Sequence, residues 1–322
     1  MELPNSLVLM ENQAKNKNHT EKDSFEVFHR SVMVQEVIQF LEPKNGIFID
    51  ATLGGGGHAE AILSVLEDGY LIGIDLDQDA IAYSQLRLNR FSNFRFFNCN
   101  FLELESVMQE VINNSLYQNV KIMGVLFDLG VSWYQIRTPE RGFSYELNGP
   151  LDMRFGKNIT KKASNIIRNA SLPELEKILR EFGEEKFYRR IARTIYEKRK
   201  QLNTTQELIS LIESLLKSMP RKVKRKALQR TFQAFRIATN DELNNLKKGI
   251  LVALNLLAIG GRILILSYHS LEDRLVKNTF RDFAQRDRLQ ILTKKPARPT
   301  EDEINRNPAA YSARLRAAIK IG

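Results

Sequence analysis

The run Phe48-Ile49-Asp50-Ala51-Thr52-Leu53-Gly54-Gly55-Gly56-Gly57-His58 constrains this chain more than any other stretch. An apolar segment ends in an acid, four glycines follow, and Ala59-Glu60-Ala61-Ile62-Leu63 then carries helix-forming residues. A strand, a tight glycine turn and a helix start bring backbone N–H groups and the positive end of a helix up against a nucleotide-like ligand. A second strand, Tyr70-Leu71-Ile72-Gly73-Ile74-Asp75, again ends in an acid, placed to accept hydrogen bonds from both hydroxyls of a ribose. The pattern predicts an adenosine-type cofactor.

From residue 29 onward, short apolar runs alternate with helical stretches. Strands are predicted at 47–51, 70–75, 94–98, 122–128 and 262–267, and helices near 58–67, 78–90, 103–112 and 239–259. Leu243, Leu246, Ile250, Leu254 and Leu257 give the last helix an apolar stripe. Such alternation predicts an α/β fold whose parallel sheet is covered on both faces. The fifth strand comes so late that a segment must be inserted after the fourth. We place that insert at 138–234, between the two parts of a discontinuous domain, 29–137 and 235–322. Residues 1–28 are polar, without a signal-peptide or import pattern, and read as a disordered extension.

Within the insert, Leu175, Ile178, Leu179 and Phe182 recur at helical spacing, as do Leu208, Leu211, Ile212 and Leu215. Lys186–Lys200 holds seven basic residues against the single acid Glu197, and Lys217–Arg230 holds seven and no acid. Phe187, Tyr188 and Tyr196 lie among them. This mixture suits a surface that tracks phosphates and stacks on bases, although a solvated helix face over core aromatics would carry a similar pattern. The whole-chain charge of +10 agrees with a polyanionic partner. No apolar run is long enough to span a membrane. One cysteine, Cys99, and four histidines leave little for a metal cluster or a disulfide, so no metal is expected and the cytoplasm is the expected compartment.

Eight further segments occur in a fixed order. They are His29–Val37, Asp50–His58, Gly73–Asp77, Asp128-Leu129-Gly130-Val131-Ser132, Arg141-Gly142-Phe143-Ser144-Tyr145, Pro150-Leu151-Asp152-Met153-Arg154, Arg230–Arg236 and Ser267–Arg274. In this series the chain resembles the bacterial ribosomal RNA small-subunit methyltransferase H family, from His29 to its end. The resemblance implies a class I methyltransferase fold, Rossmann-like with a mostly parallel sheet, carrying a helical substrate-recognition insert. It implies S-adenosylmethionine as cofactor, N4 of a cytosine in the decoding region of 16S rRNA as target, and the small ribosomal subunit as partner. A homodimer is compatible with it. Carried over by position, Gly56, Gly57, His58, Asp75, Phe101, Asp128 and Gln135 would hold the cofactor. The chain departs from the family at Trp133-Tyr134, where Ser-Pro is usual, and at Ile136-Arg137, where Leu-Asp is usual. It departs again at Asn307–Ser312, which lacks two arginines common there.

Methyl transfer from a sulfonium is an in-line displacement, so the protein mainly positions donor and acceptor. A cytosine amino group is a weak nucleophile, and acceptors for its N–H groups strengthen it. The turn after the fourth strand, with Asp128 and Ser132, is the expected place. Asp152 either accepts from the target amine, or caps the insert's first helix or pairs with Arg154 as part of its turn. Arg189, Arg190, Arg193, Arg221, Lys222, Lys224, Arg225, Lys226 and Arg230 are the expected RNA contacts. Trp133 is expected to pack in a wall rather than stack on an extruded base, and Ser270 and Asp273 are expected to cap a helix. Two other readings fit part of the pattern. Gly54-x-Gly56-x-x-Ala59 also satisfies the dinucleotide fingerprint of a nicotinamide oxidoreductase, and a non-catalytic RNA-binding assembly factor could retain the fold.

Overall fold

The computed structural model describes residues 31–113 and 120–322, so the extension expected at 1–28 lies outside the described residues. The chain divides into two compact units, one of residues up to Ser132 together with Lys247–Gly322, the other Trp133–Leu246. The boundaries we expected, 137/138 and 234/235, differ from these. Helix packing moves them: the last helix of the second unit carries its buried face on to Asn240, well past 234.

In the first unit, helix α1 (Val34–Leu41) precedes strand β1 (Asn45–Asp50), α2 (Gly57–Leu63), β2 (Asp68–Ile74), α3 (Gln78–Arg87), β3 (Phe94–Phe97), α4 (Leu104–Ile112) and β4 (Ile122–Asp128). Five of the strands follow the predicted runs closely, and all of them but the edge strand β3 bury a near-continuous apolar stretch, as in the Ile47–Asp50 end of β1 and the Leu71–Ile74 end of β2. The unit closes with β5 (Arg262–Ser267), α12 (Ser270–Ala284), β6 (Leu289–Ile291), α13 (Glu301–Arg306) and β7 (Arg314–Lys320), after six helices of the second unit and one that joins the two stretches.

The strands form a seven-stranded sheet in the order β3-β2-β1-β4-β5-β7-β6. All neighbours are parallel except β7, which runs antiparallel between β5 and β6. That antiparallel strand is the mark of the class I methyltransferase fold, and it departs from the all-parallel dinucleotide-binding sheet. The order reverses at β1 and β4, and ligands of open α/β sheets lie beyond the carboxyl ends of the strands at such a switch. Phe48, Leu71, Leu126, Leu264 and Leu315 come from five strands into one buried cluster with Val37 and Leu41 of α1.

The second unit contains α5 (Trp133–Arg137), α6 (Ala163–Asn169), α7 (Leu172–Glu181), α8 (Tyr188–Lys198), α9 (Thr205–Leu215) and α10 (Arg221–Asn240). Capping boxes at Ser171/Glu174 and Thr204/Glu207 start α7 and α9. Leu175 and Leu179 are buried, as are Leu208, Leu211 and Ile212, along the predicted stripes. The helix expected over 239–259 is instead α11 (Glu242–Leu256), separated from α10 by Asp241 in the left-handed region at φ 50°. An aspartate tolerates that conformation better than most residues, and sequence periodicity runs straight through it.

Candidate active site

Three acids stand at the carboxyl ends of adjacent strands: Asp75 after β2, Asp50 closing β1 and Asp128 closing β4. The glycine turn lies between β1 and α2. Gly56 is the residue before α2 and takes φ 72°, and a Cβ there would come within 2.8 Å of Ser84 Oγ. A Cβ on Gly57 would fall 2.0 Å from Ser31 Oγ. Space argues for glycine at both places, and the left-handed backbone adds to it at Gly56.

The turn is tied down from α3. Ser84 Oγ donates to the Gly54 carbonyl at 3.0 Å and Arg87 Nη1 to the Gly55 carbonyl at 3.1 Å. Arg87 is itself held by Glu60 at 2.8 Å. Asp75 accepts the backbone N–H groups of Gly54 at 2.7 Å and Asp77 at 2.8 Å. These two bonds fix the orientation of its carboxylate. Capping of α3 falls to Asp77, which accepts from Asp79 N–H at 3.2 Å.

Phe101 opens a short 3₁₀ turn capped by Asn100 and meets Phe127 edge-to-face, with ring centroids 5.4 Å apart. Gly249 makes room for it, since a Cβ there would stand 2.5 Å from the Phe101 ring. Cys99, two residues earlier, has its thiol pushed up to about 11 by burial and by the charge of Glu103, which makes it a poor nucleophile near neutrality.

Asp128 is the most heavily engaged of the predicted residues. Its backbone N–H donates to Thr52 Oγ1 at 2.5 Å, and its Oδ1 accepts the Tyr268 hydroxyl at 2.7 Å. Its Oδ2 lies 3.4 Å from His58 Nδ1, and the other ring nitrogen of His58 meets the Val32 carbonyl at 2.9 Å. Thr52 also donates its backbone N–H to Asp50 Oδ1 at 3.3 Å, so one residue bridges the ends of β1 and β4. Asp50 is 1% exposed and its Oδ2 has no hydrogen-bond partner among the described residues. Burial, with the neighbouring charges of Asp128 and Asp75 and against that of His58, pushes its carboxyl from 3.8 up to about 7. The sequence reading missed the buried Asp50 and Tyr268. The strand-ending acid was a usable signal for Asp50, whereas Tyr268 lies 140 residues from its partner and gives no local one. Ser132 is half-buried at the end of the same turn.

The remaining predicted residues belong to the helical unit. Asp152 is clamped by Arg154, at 2.6 Å and 2.9 Å, and approached by Lys162 at 3.3 Å. Burial alone would raise its carboxyl, but the Arg154 and Lys162 contacts outweigh this and hold it below the ordinary value. The ion pair with Arg154 is therefore present in the turn. The same turn is braced by Asn240, whose side chain donates to the Met153 carbonyl at 2.7 Å and accepts Phe155 N–H at 2.8 Å. Gln135 is buried. Trp133 is not a wall residue: it is 43% exposed, with the Arg137 guanidinium 4.8 Å over its ring. Four residues apart on one helix, the two cover each other, which leaves the indole outside the core.

Arg189, Arg190 and Arg193 are exposed on α8, and Arg221, Lys222, Arg225 and Lys226 on the first turns of α10. Lys224 is half-buried, and Arg230 points to the buried Glu185 at 3.9 Å, so Arg230 is in part a structural cation. In the first unit the cap expected from Ser270 and Asp273 is made otherwise. His269 caps α12, Glu272 accepts Tyr268 N–H at 2.9 Å in return, and Asp273 is held by Arg316 at 2.7 Å.

The chain matches the MraW methylase family over residues 26–321. It is 44% identical over 313 residues to a ribosomal RNA small subunit methyltransferase H of Halothermothrix orenii, covering 91% of this chain and 98% of that one. It is 43% identical over 296 residues to the protein of the same name from Thermotoga neapolitana, covering 90% and 95%. Strand order, glycine turn and near full-length similarity converge: the chain is a methyltransferase of the MraW methylase family.

Proposed function

We propose that this enzyme transfers a methyl group from S-adenosylmethionine to N4 of a cytosine in the decoding region of 16S rRNA, acting in the cytoplasm on the small ribosomal subunit. The cofactor reading rests above all on the three acids at the ends of β1, β2 and β4, which sense one another electrostatically. A site so rich in carboxylates favours a cationic sulfonium and would repel the pyrophosphate of a nicotinamide dinucleotide. When bound, the cofactor supplies a methyl group activated by its own positive charge. The chain's part is to bind, orient and accept. Gly56, Gly57 and His58 hold the ligand from the glycine turn, whose Gly56 N–H is itself tied to the Leu53 carbonyl at 2.9 Å. Asp75 takes the ribose hydroxyls, Phe101 flanks the adenine, and Asp128 and Gln135 complete the set carried over from the family. Asp128, with Ser132 in its turn, is also the catalytic assignment, as an acceptor that draws on the target amine. Asp152 supports the neighbouring loop through Arg154. Methylation at ring carbon C5 normally needs a cysteine nucleophile, and the protonated Cys99 on the cofactor side does not suit that chemistry.

The names of the relatives support rRNA as substrate, and the α10 face supports it independently. Arg221, Lys222, Lys224, Arg225 and Lys226 crowd the amino-terminal turns of that helix, where cations oppose the helix dipole at roughly 0.3–1 kcal/mol each. A polyanion bound there would offset that cost. Reversing the charge of Arg221, Lys222, Lys224 and Arg225 is expected to weaken RNA binding uniformly across sequences and to flatten its salt dependence, with S-adenosylmethionine affinity unchanged in a calorimetric titration.

The deciding experiment supplies S-adenosylmethionine with a labelled methyl to purified enzyme and small subunits from a strain lacking its gene. Mass spectrometry of the digested RNA should place the label in N4-methylcytidine. Label in another nucleoside, or none despite bound cofactor, would overturn the assigned target.

A further inference from the structure

The imidazole of His58 holds a place that a backbone contact to the cofactor does not require. It is 4% exposed, on the first turn of α2, with both ring nitrogens engaged on opposite sides. The Val32 carbonyl can only accept, so Nε2 must carry a hydrogen. Nδ1 then faces Asp128 Oδ2 at 3.4 Å. At that distance the ring and the carboxylate sense each other in a buried site, and the Val32 contact on the far side sets the ring's orientation. On its far side the Asp128 carboxylate accepts the Tyr268 hydroxyl at 2.7 Å, and its backbone N–H is held by Thr52. Asp50, buried behind the pair, adds a second carboxyl that interacts with both His58 and Asp128.

We propose that the His58 side chain is a positioning residue for methyl transfer, fixing the Asp128 carboxylate between its own Nδ1 and the Tyr268 hydroxyl. The inference rests on Asp128 acting in the site as assigned above. It assigns the ring of His58 a task separate from that of its backbone N–H. The segment before α1, the glycine turn and the end of β4 are thereby linked through one ring. Displacement of Asp128 by an ångström would suffice to spoil an in-line geometry.

Two substitutions divide the ring's contacts. In His58→Asn the amide nitrogen takes the approximate place of Nδ1 and keeps a donor for Asp128. In His58→Gln it takes the place of Nε2 and keeps the Val32 bond alone. The positioning role predicts kcat/KM within about tenfold of wild type for His58→Asn and lowered by about 100-fold for His58→Gln. A purely structural tie to Val32 predicts the opposite order, and that order would overturn the proposal. A second measurement needs no change at His58. In ¹⁵N-histidine spectra, which contain only four histidines, the His58 Nδ1 resonance should move in Asp128→Asn while Nε2 stays protonated. An unmoved Nδ1 resonance would equally overturn the proposal. The assays also separate the two assignments. Full activity in Asp128→Asn would remove the role of Asp128 itself, whereas an inactive Asp128→Asn beside a fully active His58→Gln would remove only that of His58.

Discussion

Asp128→Asn is expected to lower kcat/KM for methyl transfer by about 100- to 1,000-fold while leaving the melting midpoint close to that of wild type. The substitution keeps size and shape. The amide oxygen can still accept the Tyr268 hydroxyl that Oδ1 accepts at 2.7 Å, and the backbone N–H still reaches Thr52. What disappears is a negative charge at the end of β4, in a pocket where its side chain is only 8% exposed. In such surroundings charge interactions are worth far more than in water, both with a sulfonium and with an amine that gains positive charge as it is methylated. Steady-state kinetics with labelled cofactor, paired with thermal melts, checks both halves of the expectation. Wild-type kinetics in this variant would mean that the acceptor for the amine lies elsewhere.

Much of this site is legible in the sequence because its signals are local. The four glycines and His58 fall within five consecutive residues, and Asp75 ends the next strand, so a strand-turn-helix pattern carries them without tertiary information. The hydrophobic runs of β1 to β5 are equally local, since strands buried on both faces are almost continuously apolar. What escapes is long-range or disguised. β7 reads as Arg-Leu-Arg-Ala-Ala-Ile-Lys, and its buried Arg316 is tolerated only because Asp273 of α12 neutralises it. β6 has three residues and offers no periodicity. The bend at Asp241 is a single left-handed residue between two helices that share one apolar rhythm. Trp133 was misread because a lone tryptophan more often packs in a core, whereas here Arg137 shields one face on a five-residue helix.

Asp50→Asn is expected to stabilise the sheet-bearing unit at alkaline pH and to leave it unchanged in acid. The wild-type carboxyl is fully buried and has one oxygen without a hydrogen-bond partner among the described residues, and its pKa is raised from 3.8 to about 7, chiefly by that burial. Between those two values the folded protein keeps the proton and the unfolded chain has lost it. Stability contributed by this group is therefore complete below about pH 4, falls as pH rises and is lost by about pH 7, a difference on the order of 4 kcal/mol. Asparagine cannot ionise. It retains an oxygen for the Thr52 N–H that Asp50 accepts at 3.3 Å, so the variant escapes the loss. Melting midpoints of the two proteins should coincide near pH 4 and diverge steadily, the variant standing several degrees higher at pH 8. A variant that melts lower than wild type at pH 8 would give Asp50 the opposite character, a charged counter-ion that His58 and the site depend on. Retention of an acid that weakens the fold at neutral pH fits a group kept for the cationic cofactor beside it, the usual form of compromise at an active site.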